Sequence, residues 1–181
     1  MKHLTELLDQ PAHTPGLVVV LTTNGTGVAE LLAECLMDDR FSFIAGYSRR
    51  VPAYEAWNIL RRRRVVDIKV LFEENRLMRA PSCFQLAEIL GRTDKASMPL
   101  FITDFLFTFT DEDIWLEDRY QVFQRCLRRA KALAQVRRVN LIVRDGEGKD
   151  FGKFFPELEW VADQVLKIET ERRKAVQLGL M

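Results

Sequence analysis

The chain has 181 residues, 48% of them hydrophobic and 29% charged, and its 27 basic and 26 acidic side chains leave a net charge of +1. That composition suits one globular domain with a sizeable core, and it gives no global electrostatic case for nucleic acid. No apolar run approaches the roughly 18 residues that span a membrane, and MKHLTELLDQPAHTPG lacks the apolar core of a signal peptide. A cytoplasmic location is expected, or a nuclear one in a eukaryotic cell. Cys35, Cys83 and Cys126 are odd in number, far apart and each at an apolar position of an expected helix. They read as buried thiols, with neither a disulfide nor a metal site.

Residues 1–16 read as a lead-in with Leu4, Leu7 and Leu8 on one helical face, ended by Pro11 and Pro15. The domain proper spans 17–181. Leu17 to Leu21 is an unbroken apolar run, which predicts a strand buried on both faces of a parallel sheet. A turn-rich segment, Thr22 to Gly27, leads into a helix patterned by Val28, Leu31, Leu32, Cys35 and Leu36, ending before Asp38–Asp39. Phe41 to Tyr47 predicts the second strand. Pro52 opens a helix that continues through Tyr54 to Leu60.

Val65 to Phe72 alternates apolar and polar residues, which predicts a half-exposed strand near a sheet edge. Pro81–Ser82 starts a helix whose core face is drawn from Phe84, Leu86, Ala87, Ile89 and Leu90, with Gly91 as its C-terminal cap. Pro99 to Phe105 predicts a buried strand carrying one acid, Asp104. Leu106 to Trp115 reads as a linker. From Leu116 to Gln135, inner-face residues Leu116, Tyr120, Phe123, Leu127, Ala130 and Ala134 predict a long helix with its arginines on the far side. Val139 to Val143 is the next strand, Asp145 to Lys153 a glycine loop, and Phe155 to Ala162 a short helical turn. Gln164 to Glu169 and Lys174 to Leu178 are expected to pair as a terminal hairpin. Alternating strands and helices predict a three-layer α/β domain with a largely parallel sheet. Its ligand rim would gather the loops at Thr22–Gly27, Tyr47–Pro52, Asp104–Asp111 and Arg144–Lys153.

Two segments carry a resemblance. TTNGTGVA, Thr22 to Ala29, follows a strand and opens a helix, as a phosphate-binding loop does. LFITDF, Leu100 to Phe105, ends an apolar strand on an acid, as a Walker B strand does. An acid at a strand end also caps helices and forms turns. Together, and in this order, the two resemble the core of the RecA-type recombinase ATPases. Asn24, Gly25, Thr26 and Gly27 are the best-matching part of the loop. In the same resemblance, VNLIV looks like the next core strand and WVADQVLKIE like the family's alanine-aspartate strand.

The resemblance implies a P-loop fold and also marks departures from it. The pattern G-x-x-x-x-G-K-[ST] meets Thr22 where its first glycine belongs, and Val28 and Ala29 where its lysine and hydroxyl belong. The family's water-activating glutamate after the second strand has no counterpart before Glu55. Only Asp104 remains, so no catalytic residue is assigned and no cofactor is expected. Arg144, Lys149 and Lys153 are the cations at the rim able to replace the missing lysine, or they belong to a solvated loop. His3 and His13 lie in the lead-in, and no nucleophile–histidine or metal-ligand spacing is present.

Three functions compete. The first is a catalytically inactive RecA-like subunit, a hetero- or homo-oligomer with another RecA-like protein or repair factor, in DNA repair or recombination. Its candidate single-stranded DNA or phosphate contacts are Arg61, Arg62, Arg63, Arg64, Arg128 and Arg129, which equally suit a solvated helix face. Met1 to Leu8, Phe105 to Phe109 and Trp115 are its candidate partner contacts, with LFTFT equally able to be core. The second is a sensor that binds ATP and magnesium without hydrolysis. The third is an enzyme of another α/β family using Asp104, Asp111, Asp113 or Asp145.

Overall fold

The computed structural model describes residues 14–22, 27–38, 41–46, 52–93, 98–144 and 150–168. The strand expected at Leu17 to Leu21 forms as β1 (Gly16–Thr22), with every side chain from Leu17 to Thr22 buried. In chain order it is followed by α1 (Val28–Asp38), β2 (Ser42–Gly46), α2 (Ala53–Arg62), α3 (Ile68–Glu74), β3 (Arg76–Ala80), α4 (Cys83–Arg92), β4 (Leu100–Thr103), α5 (Leu116–Ala134), β5 (Arg138–Arg144), α6 (Phe151–Val161) and β6 (Gln164–Ile168). The strands form one parallel sheet in the order β3-β2-β4-β5-β1-β6.

Alternate residues of each strand face opposite layers. Val18 and Val20 of β1 pack with α1, α2 and α3, while Leu17, Val19 and Leu21 pack with α4, α5 and α6. The fold is therefore three-layered α/β. The connections β1-α1-β2 and β2-α2-α3-β3 advance toward β3 over one face. The connections through α4, α5 and α6 return over the other. Opposite directions on opposite faces give every crossover the same hand, as a twisted parallel sheet demands. Neighbouring strands β1 and β5 send their helices to opposite faces, the arrangement at whose carboxyl ends α/β sheets bind ligands.

Asp163 ties the base of this sheet together. One carboxylate oxygen accepts the Leu17 N–H at 2.8 Å and the other pairs with Lys131. Its own N–H donates to the Leu17 carbonyl at 2.9 Å, so β1 is fixed at the start of β6. This is the acid of the segment likened to the alanine-aspartate strand, and it holds the backbone of β1. On the rim side, Arg119 is buried and bonds both Asp150, at 2.8 Å, and the Phe109 carbonyl, at 3.0 Å.

Several expectations need correction. Val65 to Phe72 is not a strand: it is a turn followed by α3, and the edge strand comes later, at β3. Ile68, Leu71 and Phe72 have helical spacing and pack against the core, whereas Val66 is 78% exposed. Asp67, at φ 60°, turns the chain into α3, and Asn75 ends it by accepting the Phe41 N–H at 2.8 Å. The arginines of the long helix are not all outward, because Arg119 has a buried carboxylate to meet. Leu116 and Tyr120 are partly exposed, and Val122, Cys126 and Leu133 complete the buried face. Gly91 lies within α4, and Thr93 caps it. The helix after β5 starts at Phe151 rather than Phe155. The Asp150 carbonyl nucleates it by accepting from Lys153 and Phe154, and Pro156 falls inside. Residues 1–13 and the second arm of the expected hairpin, Lys174 to Leu178, lie outside the described residues. No helix among the described residues is long and apolar enough to cross a membrane.

The Asp163 and Asp150 carboxyls are both held below the ordinary carboxylate value of 3.8. For Asp163 the main cause is the Leu17 N–H, then Lys131; for Asp150 it is Lys153, then Arg119. A depressed folded-state value means stability that is present above the ordinary value and lost as pH falls toward the folded one. Urea unfolding followed by far-ultraviolet circular dichroism will show stability dropping below about pH 4, and Asp163→Asn will flatten that acid limb. At neutral pH, Asp163→Ala will cost about 1 kcal/mol, a charged hydrogen bond discounted for its half-exposed position.

Candidate functional site at the carboxyl rim

At the carboxyl ends of β1 and β5, Thr22 and Arg144 pair in the strand register. Thr22 is wholly buried and its hydroxyl leans toward the Val143 carbonyl at 3.4 Å. Across β5, Asp104 follows the last residue of β4. It is buried and left-handed, with φ 52°, a conformation that side-chain-bearing residues adopt at a cost. Its carbonyl is fixed by the Thr108 N–H at 3.1 Å and the Thr108 hydroxyl at 2.9 Å. Its carboxylate accepts from the Arg144 Nε at 2.8 Å. The Walker B-like acid thus carries a guanidinium counter-ion from the adjacent strand.

Gly46, at the end of β2, completes this corner. A Cβ placed there would come within 2.5 Å of the Thr108 hydroxyl and 2.6 Å of the Thr103 carbonyl. Only a glycine lets β2 approach the turn that presents Asp104.

Gly27 is the loop residue whose pattern match has a physical basis. Its φ of 99° belongs to glycine, and its carbonyl accepts the Leu31 N–H at 2.8 Å to start α1. Val28 and Ala29 follow as the first two helical residues. The remaining loop positions Asn24, Gly25 and Thr26 lie outside the described residues, as do Lys149, Asp145 and both histidines. An open cleft of about 510 Å³ lies between the start of α1 and α2, lined by Gly27, Val28, Glu30, Glu55, Asn58 and Arg62 among others. Nothing in the sequence pattern pointed to it, since its walls come from two helices separated by a strand.

The other rim cation, Lys153, is occupied: it meets Asp150 at 2.8 Å, beside the Arg119 pair. Val28 and Ala29 supply neither an ammonium nor a hydroxyl, Asp104 is already neutralised, and Glu30 and Glu55 place negative charge beside the helix start. Among the described residues, no group of three or more His, Cys, Asp or Glu side chains is placed to hold a metal ion. Cys35, Cys83 and Cys126 are buried free thiols, as expected. Burial pushes the Cys83 thiol up and the Cys126 thiol up to about 12, so both stay protonated at neutral pH.

The remaining candidates separate in space. Within Phe105 to Phe109, Phe105, Leu106, Thr108 and Phe109 are buried and Phe107 is partly exposed. Phe109 packs its ring against Phe105, Phe123 and Phe154 at 5.3–6.0 Å. Trp115 is 84% exposed. Arg128 is exposed, whereas Arg129 reaches the Leu90 and Thr93 carbonyls and caps α4. Arg61 and Arg62 end α2 on different faces, about 100° apart, while Arg63 caps the helix and Arg64 is left-handed with φ 58°, so the four do not share one face. Arg62 lines the cleft, Arg63 pairs with Glu34, and Arg61 and Arg64 point outward without an acid partner among the described residues. The chain matches no known family model and no curated protein.

Gly46→Ala will destabilise the protein by about 1–3 kcal/mol, the cost of overpacking against backbone. Gly91→Ala, in a helix with nothing within 4 Å of the new methyl, will stabilise it by about 0.5–1 kcal/mol. Paired urea titrations with unchanged m-values check both.

Proposed function

We propose that this chain is a non-hydrolysing, RecA-like subunit that works by binding a protein partner, and DNA, in repair or recombination. The observation that carries the reading is the 2.8 Å pairing of Asp104 with Arg144. In a phosphoryl-transfer site that acid holds the metal ion and a loop lysine neutralises the phosphates. Here the acid is spent on a neighbouring strand's guanidinium, and apolar side chains stand at the loop positions. Charge-stabilising groups in such sites contribute several kcal/mol each, so their joint loss removes the rate enhancement.

Binding remains as the use of the fold. Large side chains stand outside the core at opposite ends of the outer helices, Trp115 at the start of α5 and Trp160, 85% exposed, near the end of α6. Tryptophan is enriched where partners anchor. Outward arginines on α2 and α5 offer phosphate contacts.

The purified chain will show no magnesium-dependent ATP turnover above background, and Asp104→Ala will leave that background unchanged. Affinity purification from the native source will recover a RecA-like ATPase or a DNA-repair factor. Turnover abolished by Asp104→Ala, or recovery of neither kind of partner, would overturn the proposal.

A further inference from the structure

The sequence of α2 distributes its side chains over three ridges. Ala56 and Leu60 are buried, and Ile59 packs beside them. Glu55, Asn58 and Arg62 face the cleft beside α1. Tyr54, Trp57 and Arg61 recur at intervals of three and four, which places them on one outward ridge. Arg64 lies past the helix end, exposed and in a left-handed conformation with φ 58°, so it follows the ridge in the chain without sharing its helical spacing.

Two aromatic rings and the Arg61 guanidinium therefore share a line about 10 Å long, at 1.5 Å per residue, with the exposed Arg64 just beyond the helix end. Tyr54 is 75% exposed. Trp57 is 37% exposed because part of its ring lies against Phe72, at 5.7 Å, which holds the indole in place. Neither arginine pairs with an acid among the described residues. The nearby Lys69 and Glu73 of α3 pair with each other at 3.5 Å. The ridge thus keeps an uncompensated positive end and an aromatic end.

We infer that this ridge of α2 is a binding platform for single-stranded DNA. Unpaired bases stack on Tyr54 and Trp57 while Arg61 and Arg64 meet successive phosphates. Stacking surfaces combined with a basic track are how proteins hold single strands without reading sequence. Duplex DNA hides its base faces, so the aromatic end discriminates against it. The inference rests on the DNA-binding part of the proposed function and assigns that part to the outward face of α2.

The test is fluorescence anisotropy of a labelled oligo-dT strand with the full chain, over a range of salt. Tyr54→Leu will weaken binding about tenfold or more, as loss of one stacked base does. Trp57→Leu will do the same, but it also removes the Phe72 contact, so the fully outward Tyr54 decides the matter, with circular dichroism confirming the fold. Arg61→Gln and Arg64→Gln will each lower the slope of log affinity against log salt by about 0.7. Arg129→Gln, which uncaps α4, will not. Annealing the strand to its complement will weaken binding. Tight binding unaffected by Tyr54→Leu and by the two arginine changes would overturn the platform and leave the DNA reading standing. No binding by the unaltered chain would overturn both.

Discussion

The first strand, β1, lies one place in from the β6 edge and is enclosed on all four sides, and the rest of the fold answers to that constraint. Its apolar side chains face helices on both layers, and its backbone lies between β5 and β6. A peptide backbone so enclosed must hydrogen-bond to neighbours, since water cannot reach it. Two parallel partners satisfy it, and each parallel partner requires a crossover helix. Asp163 secures the one place where the ladder begins, by bonding the first apolar residue of β1 from the turn before β6. The hand of the crossovers then decides which helix covers which face.

The same topology accounts for the chemistry of the rim. β5 lies between β1 and β4, so Arg144 stands beside both Thr22 and Asp104. A carboxylate buried at that corner needs a counter-charge. The next strand supplies one, and Gly46 allows the corner to close. The Arg119–Asp150–Lys153 group does the same for the start of α6. Under the proposed function, these pairs have taken over carboxylates at the end of the sheet where a catalytic relative would keep them open. Interaction surfaces are then left to the outer helices, where aromatic and basic side chains reach solvent.

Most of the fold was legible in the sequence because burial writes a strong pattern. Unbroken apolar runs marked β1, β2, β4 and β5, and spacings of three and four marked α1, α2, α4 and α5. The failures share a cause. Between Val65 and Phe72, alternation and helical spacing coexist in the same residues, and only packing against the core selects the helix. β3, with arginines at Arg76 and Arg79, looks nothing like a strand core; its place at a sheet edge makes it one. Arg119 has a charged side chain that pattern assigns to the outside, yet a carboxylate 31 residues away draws it in. Local signals mislead in the same way at α6, where Pro156 suggests a start and the Asp150 carbonyl provides an earlier one.

The sequence by itself determined the parallel α/β class, the glycine-started helix at Gly27, the apolar side chains that open that helix at Val28 and Ala29, and the buried thiols. These follow from local composition and periodicity, which need no knowledge of what lies across the sheet. The tertiary structure alone decided that Asp104 carries Arg144, that Asp163 holds β1, and that the four-arginine run splits into a cleft residue, an ion pair and an outward ridge. Those outcomes depend on distances between segments far apart in the chain, and strand order and helical rotation fix such distances while the order of residues does not.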